Sequence, residues 1–102
     1  MVYFVYVPHG GISDNKVSVI NTSTNLIVAT VTVGTAPFAT AVTPDGTRAY
    51  VANQLSNSVS VINTATNTVV ATIAEGSVPE GVAITPDGSM AYVANIMGIM
   101  FQ

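Results

Sequence analysis

Cysteine and tryptophan are missing from the sequence, and charged residues make up only 7% of its 102 positions. A soluble globular domain usually contains about 25% charged residues. The lack of cysteine excludes a disulfide framework and thiol chemistry, and it leaves the redox compartment undefined. With one lysine, two leucines and two glutamates, the strong helix formers are scarce. This scarcity excludes a helical bundle, a coiled coil and a charge-rich disordered chain.

Positive charge is equally scarce. Lys16 and Arg48 are the only permanent cations, and the formal net charge is −3. Binding of nucleic acid requires Lys and Arg side chains that neutralise several phosphates, so two cations exclude a nucleic-acid partner. No apolar run approaches the roughly 20 residues of a spanning helix. The longest run, 1–7, lacks the basic start and the cleavage site of a signal peptide, so we expect neither a membrane span nor a leader here.

Residues that favour β-strands dominate the chain. The 17 valines, 13 threonines and 8 isoleucines are all β-branched, and such side chains pack well on a pleated sheet. An internal repeat with a period of 42 residues organises them. Residues 17–53 and 59–95 align without a gap and share 23 identities in 37 positions. Such a repeat predicts a chain built from similar supersecondary units.

One repeat contains four predicted strands, at 38–42, 48–53, 59–62 and 68–74. Short turns join them, among them Pro44-Asp45-Gly46, in which proline presets φ and glycine takes a positive φ. The pattern therefore predicts an all-β chain of four-stranded antiparallel meanders.

The apolar pattern also predicts how the meanders pack. The nearly continuous apolar run 69–73 is typical of a strand covered on both faces, which a small sheet achieves between copies of itself. Radially packed four-stranded sheets are the blades of a β-propeller. The small residues of 39–41 and 81–83 fit the innermost strands, where blades crowd at the axis.

The repeat combines Tyr-Val-Ala-Asn, at 50–53 and 92–95, with Val-Ser-Val-Ile, an Asn/Thr turn and Pro-Asp-Gly. These blades resemble the YVTN family of β-propeller repeats, with Ala where the family signature has Thr. Asn21 and Asn63 stand where the family commonly has Asp. The resemblance covers about residues 3–95. It implies a WD-like propeller fold of the kind found in cell-surface and surface-layer proteins of prokaryotes.

At 42 residues per blade the chain holds about 2.4 blades, whereas closed propellers have four to eight. We therefore expect 1–102 to be a partial propeller with an incomplete ring, and a fragment of a longer propeller protein. Its expected parts are an incomplete blade at 3–33, a complete blade at 38–74, the first half of the next blade at 81–95 and a divergent tail at 96–102. The tail lacks the expected Val-Ser-Val, which a truncation explains most simply; an altered reading frame and an intermolecular strand are the alternatives.

Candidate ligand-binding residues lie in the loops that differ between repeats. The 34–38 and 76–80 connections and the 9–16 and 54–58 connections emerge at one end of the blades, and loops on a rigid frame often carry binding residues. Drift in an exposed loop explains the same differences. The candidates at this end are Phe38, Glu80, His9 and Gln54.

Catalytic and metal sites are not predicted. His9 is the only histidine, and one histidine without cysteines or suitably spaced carboxylates makes neither a metal site nor a catalytic triad. Asp45 and Asp87 form an apparent carboxylate pair, but the Pro-Asp-Gly turn accounts for each. No cofactor is predicted either.

Three functions are compatible with these features. The first is a non-catalytic scaffold for binding or adhesion, with a protein or cell-surface ligand as partner and an extracellular, cell-surface or periplasmic location. The second is part of a propeller enzyme, since the resemblance extends to lactonases and to periplasmic haem- or quinone-linked oxidoreductases. The third is a self-associating fragment, because an open ring exposes blade faces and strand edges.

Overall fold

The computed structural model describes residues 3–74, 78–95 and 98–101. Residues 75–77 of one predicted loop, and residues 96, 97 and 102 of the predicted tail, lie outside this part of the chain. The described residues form strands, turns and bends without a helix, so among them there is none that could span a membrane. The strands are β1 (Phe4–Pro8), β2 (Lys16–Asn21), β3 (Leu26–Thr32), β4 (Pro37–Val42), β5 (Arg48–Asn53), β6 (Ser58–Asn63), β7 (Thr68–Ala74), β8 (Pro79–Ile84), β9 (Ala91–Asn95) and β10 (Gly98–Phe101).

Three antiparallel meanders make up the structure. Sheet 1 has the order β1-β2-β3, sheet 2 has β4-β5-β6-β7, and sheet 3 has β8-β9-β10. The all-β class and the four-stranded meander predicted from the repeat are confirmed, and the sheets form an open arrangement, as expected for a partial ring. Strand β10 pairs with β9 through the backbone, so part of the divergent tail supplies a third strand to sheet 3.

Each sheet packs one face against its neighbour. We call the face of sheet 1 that carries Val17, Val19 and Val31 its front face, and the opposite side its back face. The faces of sheets 2 and 3 are named in the same way, from the repeat equivalents of these residues. These valines, together with Tyr6, form one buried cluster with three residues on the back face of sheet 2: Ala49, Val51 and Ile62. The front face of sheet 1 therefore packs against the back face of sheet 2.

The same contact recurs between sheets 2 and 3. The buried residues Ala52, Val59 and Val61 lie on the front face of sheet 2, and Ala91 and Val93 are buried on the back face of sheet 3. The innermost strands β4 and β8 pack against each other, and β5 also contacts β8. Sheet 2 is thus covered on both faces at its strands β5 and β6. The prediction that the continuous apolar run 69–73 is covered on both faces is wrong, because β7 is the outer strand of its sheet and is mostly exposed.

The strands run across a flat molecule. Its principal extents are 39 × 34 × 19 Å. The shortest extent matches the length of a six-residue strand, about 20 Å at about 3.3 Å per residue. Strand β4 lies next to both β1 and β8, and the Thr40 hydroxyl donates to the backbone oxygen of Tyr6 at 3.0 Å. This places the small-residue strands on the inner side of the molecule, where the sheets converge.

The outermost strands β3 and β7 each contain a bulge. Val28 has no partner in the ladder between β2 and β3, and Val70 has none in the ladder between β6 and β7. Both side chains are exposed. A bulge adds local twist to a strand, so the two outer edges depart from a flat ladder.

The Pro-Asp-Gly turns are held by their own carboxylates. The Asp45 Oδ1 atom accepts hydrogen bonds from the Thr43 hydroxyl at 2.6 Å, the Thr47 backbone N–H at 3.0 Å and the Thr47 hydroxyl at 2.8 Å. These bonds, that of the Thr43 hydroxyl above all, lower the pKa of Asp45 to about 2. Gly46 adopts a φ of 76°, which its missing Cβ permits. Asp87 repeats this arrangement with Thr85 and Ser89, and its pKa is also about 2.

Acid should weaken these turns. A carboxyl whose pKa falls from 3.8 to about 2 on folding stabilises the fold above pH 3.8, and this contribution is lost as the pH falls through about 2. We expect the midpoint of thermal unfolding, followed by circular dichroism, to decrease between pH 4 and pH 2. An Asp45→Asn, Asp87→Asn double variant should show a smaller decrease, and an equal decrease would contradict the role of the two carboxylates.

Ile62 is the largest fully buried side chain between sheets 1 and 2. Truncation of a buried isoleucine to alanine removes apolar contacts and leaves a cavity, at a cost of about 2–5 kcal/mol. We expect Ile62→Ala to lower the free energy of unfolding in urea by that amount. Ile20, the equivalent residue of sheet 1, is only half-buried, so Ile20→Ala should cost clearly less. Equal costs would mean that the back face of sheet 1 is not open.

Candidate binding face

Loops from neighbouring sheets meet at one end of the molecule, which we call the loop end. The Ala36 N–H donates to the backbone oxygen of Asp14 at 2.7 Å, and the Gln54 N–H donates to the backbone oxygen of Ala36 at 2.9 Å. The Thr35 N–H donates to the Ser56 hydroxyl at 3.0 Å. The structure therefore places the 34–38 connection beside both the 9–16 and the 54–58 connections, and all three lie at this end.

Phe38 and Glu80 occupy equivalent bulges at the loop end. In the ladder between β4 and β5, Pro37 pairs with Asn53 and Ala39 with Ala52, so Phe38 is left unpaired. The ladder between β8 and β9 leaves out Glu80 in the same way. Both side chains are exposed. Since a bulge redirects the side chain of its extra residue, the two repeats present an aromatic ring and a carboxylate from one scaffold position.

The residues that precede these bulges have unusual backbones. Ala36 and Val78 stand two positions before the bulge residues, with φ angles of 54° and 50°. This left-handed region is unfavourable for a β-branched residue, and such strain costs about 1–3 kcal/mol. The Val78 N–H is held by the side-chain oxygen of Asn57 at 2.8 Å. The sequence contains no sign of this conformation, because neither residue is Gly or Asn.

One hydrogen bond connects two of the predicted site residues. The Gln54 Nε2 atom donates to Glu80 Oε2 at 2.9 Å and so joins the loop of sheet 2 to the bulge of sheet 3. This contact orders the Glu80 carboxylate next to the inner strand of its sheet. The remaining carboxylate oxygen lies at the surface, where it can accept a hydrogen bond from a ligand.

His9 has a partner of its own in sheet 1. Its Nε2 atom lies 2.7 Å from the Ser18 hydroxyl. In sheet 2 the Asn53 Nδ2 atom donates to the Ser60 hydroxyl at 2.9 Å, and Ser60 is the repeat equivalent of Ser18. His9 thus takes the position that Asn53 occupies in the next repeat. The structure joins Gln54 with Glu80, while His9 makes a contact within its own sheet.

The buried side-chain amide of Asn53 lies beneath the loop end. Asn53 is fully buried and also donates to the Ser58 hydroxyl at 3.2 Å. Within the described residues its Oδ1 atom has no hydrogen-bond partner, and the equivalent Asn95 Oδ1 atom is in the same state. In the sequence Asn53 and Asn95 belong to a repeated motif, but nothing in that motif predicts that their amides are buried.

The chemistry of the loop end is that of a contact surface. It presents one aromatic ring, one carboxylate and one amide, which suit hydrogen bonds and apolar contacts with a ligand. In the described part of the chain, no three His or acidic side chains come together as possible metal ligands.

Comparison with known proteins identifies the fold. The chain aligns with hydrazine synthase of Kuenenia stuttgartiensis at 40% identity over 79% of its length, with a TM-score of 0.78. It aligns with dihydro-heme d1 dehydrogenase NirN, solved in complex with DHE, at 25% identity over 90% of its length, with a TM-score of 0.75. The WD40 β-propeller domain of Doa1 matches 97% of the chain at 11% identity, with a TM-score of 0.81. The fold is that of a partial β-propeller.

This partial propeller is much shorter than the proteins it resembles. It spans 23% of the hydrazine synthase chain, 19% of the NirN chain and 33% of the Doa1 chain. A functionally unknown protein from Desulfotomaculum acetoxidans DSM 771 matches at 26% identity over 92% of this chain and 34% of its own, with a TM-score of 0.73. No protein-family model matches the sequence, and a search of curated proteins also finds no match.

Substitution of Gly34 tests the packing beneath the loop end. A Cβ at this position would lie 2.8 Å from the Cγ and Nδ2 atoms of Asn53 and would also overlap the Ser56 hydroxyl. We expect Gly34→Ala to lower the unfolding midpoint by several degrees in a thermal melt, because it displaces the buried amide. Gly81→Ala is the matched control, since its Cβ would meet only Ala94 Cβ at 3.7 Å. Equal melting temperatures for the two variants would contradict the packing described for Asn53.

Proposed function

We propose that this chain contributes blades to a non-catalytic β-propeller scaffold that binds a protein or cell-surface ligand through its loop end. The observation that carries the proposal is the pair of equivalent bulges. They expose Phe38 in one repeat and Glu80 in the next, on a backbone that is otherwise closely repeated. A rigid frame that presents different exposed residues at equivalent bulges is suited to recognition of a partner surface.

Two further features support a binding role for this end. The Gln54–Glu80 hydrogen bond orders the carboxylate before a ligand arrives, which lowers the entropic cost of binding. The bulges also begin the innermost strands, so in an assembled propeller they stand near the mouth of the central channel. Small-molecule and protein ligands are often bound where several loops converge in this way.

The proposed location is the cell surface or the periplasm. The resemblance of the Tyr-Val-Ala-Asn repeats to the YVTN family supports it, as do the scarcity of lysine and the wealth of Thr, Ser and Asn. We also propose that the chain is a fragment of a longer propeller protein, because it accounts for a third or less of the propeller-containing chains it resembles.

Binding can be measured directly on the loop end. We expect the fluorescently labelled chain to bind at least one member of a panel of immobilised collagen, fibronectin and surface glycans. The double variant Phe38→Ser, Glu80→Gln should weaken that binding at least tenfold. The matched control is Val70→Lys, which changes an exposed residue on the outer edge. Absence of binding to the whole panel, or equal binding by both variants, would contradict the proposal.

A second function is favoured by the neighbours that are enzymes. Similarity to hydrazine synthase and to dihydro-heme d1 dehydrogenase NirN supports an alternative in which the chain supplies blades to a haem-linked oxidoreductase. Titration of the chain with haemin, followed by its Soret absorbance, separates the two functions. A saturable shift that Phe38→Ser, Glu80→Gln abolishes would favour the enzyme part, and an unchanged spectrum would favour the scaffold.

A further inference from the structure

The back face of sheet 1 is open. Val5 and Val7 are 46% and 38% exposed on this face. Val5 pairs with Ile20 and Val7 with Ser18, as Ala49 pairs with Ile62 and Val51 with Ser60 in sheet 2. At these equivalent positions, Ala49 and Val51 are fully buried by sheet 1. In its three strands the open face therefore has the surface that sheet 2 buries, although sheet 1 has no counterpart of the innermost strand β4. No sheet in the described part of the chain covers this face.

The front face of sheet 3 is open as well. Tyr92 is 41% exposed, whereas its equivalent in sheet 1, Tyr6, is 7% exposed. Ala94 is exposed, whereas its equivalent Ala52 is fully buried by sheet 3. This face has the small and aromatic residues that form the other half of the contact between sheets.

The two open faces are complementary halves of one interface. The chain makes that interface twice internally, always with the front face of one sheet against the back face of the next. The clefts at the two junctions repeat as well: Tyr6 and Val42 line the first, and Tyr50 and Ile84 line the second. A third contact of this kind places the back face of a sheet 1 opposite the front face of a sheet 3. It contains the contacts of the other strands but not that between two innermost strands, because sheet 1 has no counterpart of β4 and β8.

We infer that a second copy of this chain supplies that contact. The front face of sheet 3 docks against the back face of sheet 1 of the second copy, and the reverse contact closes a ring. Each chain has three sheets, so two copies supply six, within the four to eight of closed propellers. The inference concerns the 102-residue chain by itself, without the further blades that a longer propeller protein would supply, and it holds whatever the loop end binds. Each contact pairs two different faces, and the two-fold axis of the dimer repeats it, so the ring is closed and does not grow further.

One hydrogen bond predicts a specific contact across the new interface. The Tyr6 hydroxyl on sheet 1 donates to Asn67 Oδ1 on sheet 2 at 2.6 Å. Tyr92 is the repeat equivalent of Tyr6, and Asn25 is the equivalent of Asn67. Asn25 and Asn67 share the left-handed backbone, with φ angles of 59° and 54°. The Tyr92 hydroxyl is therefore expected to donate to Asn25 of the second copy.

Two charged substitutions test the two faces of the interface independently. Val7→Lys blocks only the back face of sheet 1, and Ala94→Lys blocks only the front face of sheet 3. Both side chains are exposed in the single chain, so each variant should keep its fold, which circular dichroism checks. Val70→Lys is the matched control, because Val70 is 52% exposed although both faces of its sheet are covered.

Sedimentation velocity of the full chain measures whether each protein is a monomer or a dimer. The unmodified chain and Val70→Lys are expected to sediment as dimers, and Val7→Lys and Ala94→Lys each as monomers. An equimolar mixture of Val7→Lys and Ala94→Lys should form a one-to-one dimer that is weaker than the dimer of the unmodified chain. One contact of the ring pairs the intact front face of Val7→Lys with the intact back face of Ala94→Lys, and the other contact contains both lysines. Tyr92→Phe and Asn25→Gly should each weaken the dimer of the unmodified chain several-fold.

Three outcomes would overturn the inference. If the unmodified chain is monomeric at up to 100 µM, a second copy does not cover the two faces, and they are available to a different polypeptide. A dimer that persists in either lysine variant alone would mean that like faces pair. A mixture that associates no better than either variant alone would mean that the two faces do not fit each other. Loss of panel binding by the loop-end variant leaves each of these sedimentation results unchanged, so the two proposals can fail separately.

Discussion

The burial of β-branched side chains between successive sheets is the interaction on which the whole structure depends. Each sheet is too small to form a core alone, since a meander of three or four strands needs a partner for each apolar face. Valines on one front face therefore meet the alanine, valine and isoleucine of the next back face, and the contact recurs along the chain. Stability in such an array comes from nearest neighbours, as in other repeat proteins.

Because stability comes from apolar contacts between neighbouring sheets, the fold needs few charged residues. Polar groups appear where a strand ends, and there they mostly serve the backbone: Asp45 and Asp87 close turns, and Asn53 and its serine partners fill the region under a loop. At the loop end the chemistry changes from one repeat to the next, with Phe38 in one and Glu80 in the other. The residues that make the fold lie on the sheet faces, and the inner bulges vary the surface at the loop end.

Much of the fold could be predicted because its determinants are local and repeated. The 42-residue period, the Pro-Asp-Gly turns and the alternation of valines located the strands of sheet 2. The bulges could not be predicted, since the residues around Phe38 and Glu80 have no pattern that distinguishes a bulge from a regular ladder. The left-handed backbone at Val78 depends on an amide 21 positions away, at Asn57. Strand β10 escaped prediction because backbone pairing with β9 does not need the Val-Ser-Val pattern.

The bulges in β3 and β7 have a consequence for how this molecule avoids indiscriminate association. An outer strand with a regular row of unpaired N–H and C=O groups is a template for adding strands from any neighbouring chain. Val28 and Val70 interrupt that row in the outer strands of sheets 1 and 2, and a bulge also increases the twist of its strand. These two edges are therefore poorer templates for an added strand than regular edges of the same apolar composition.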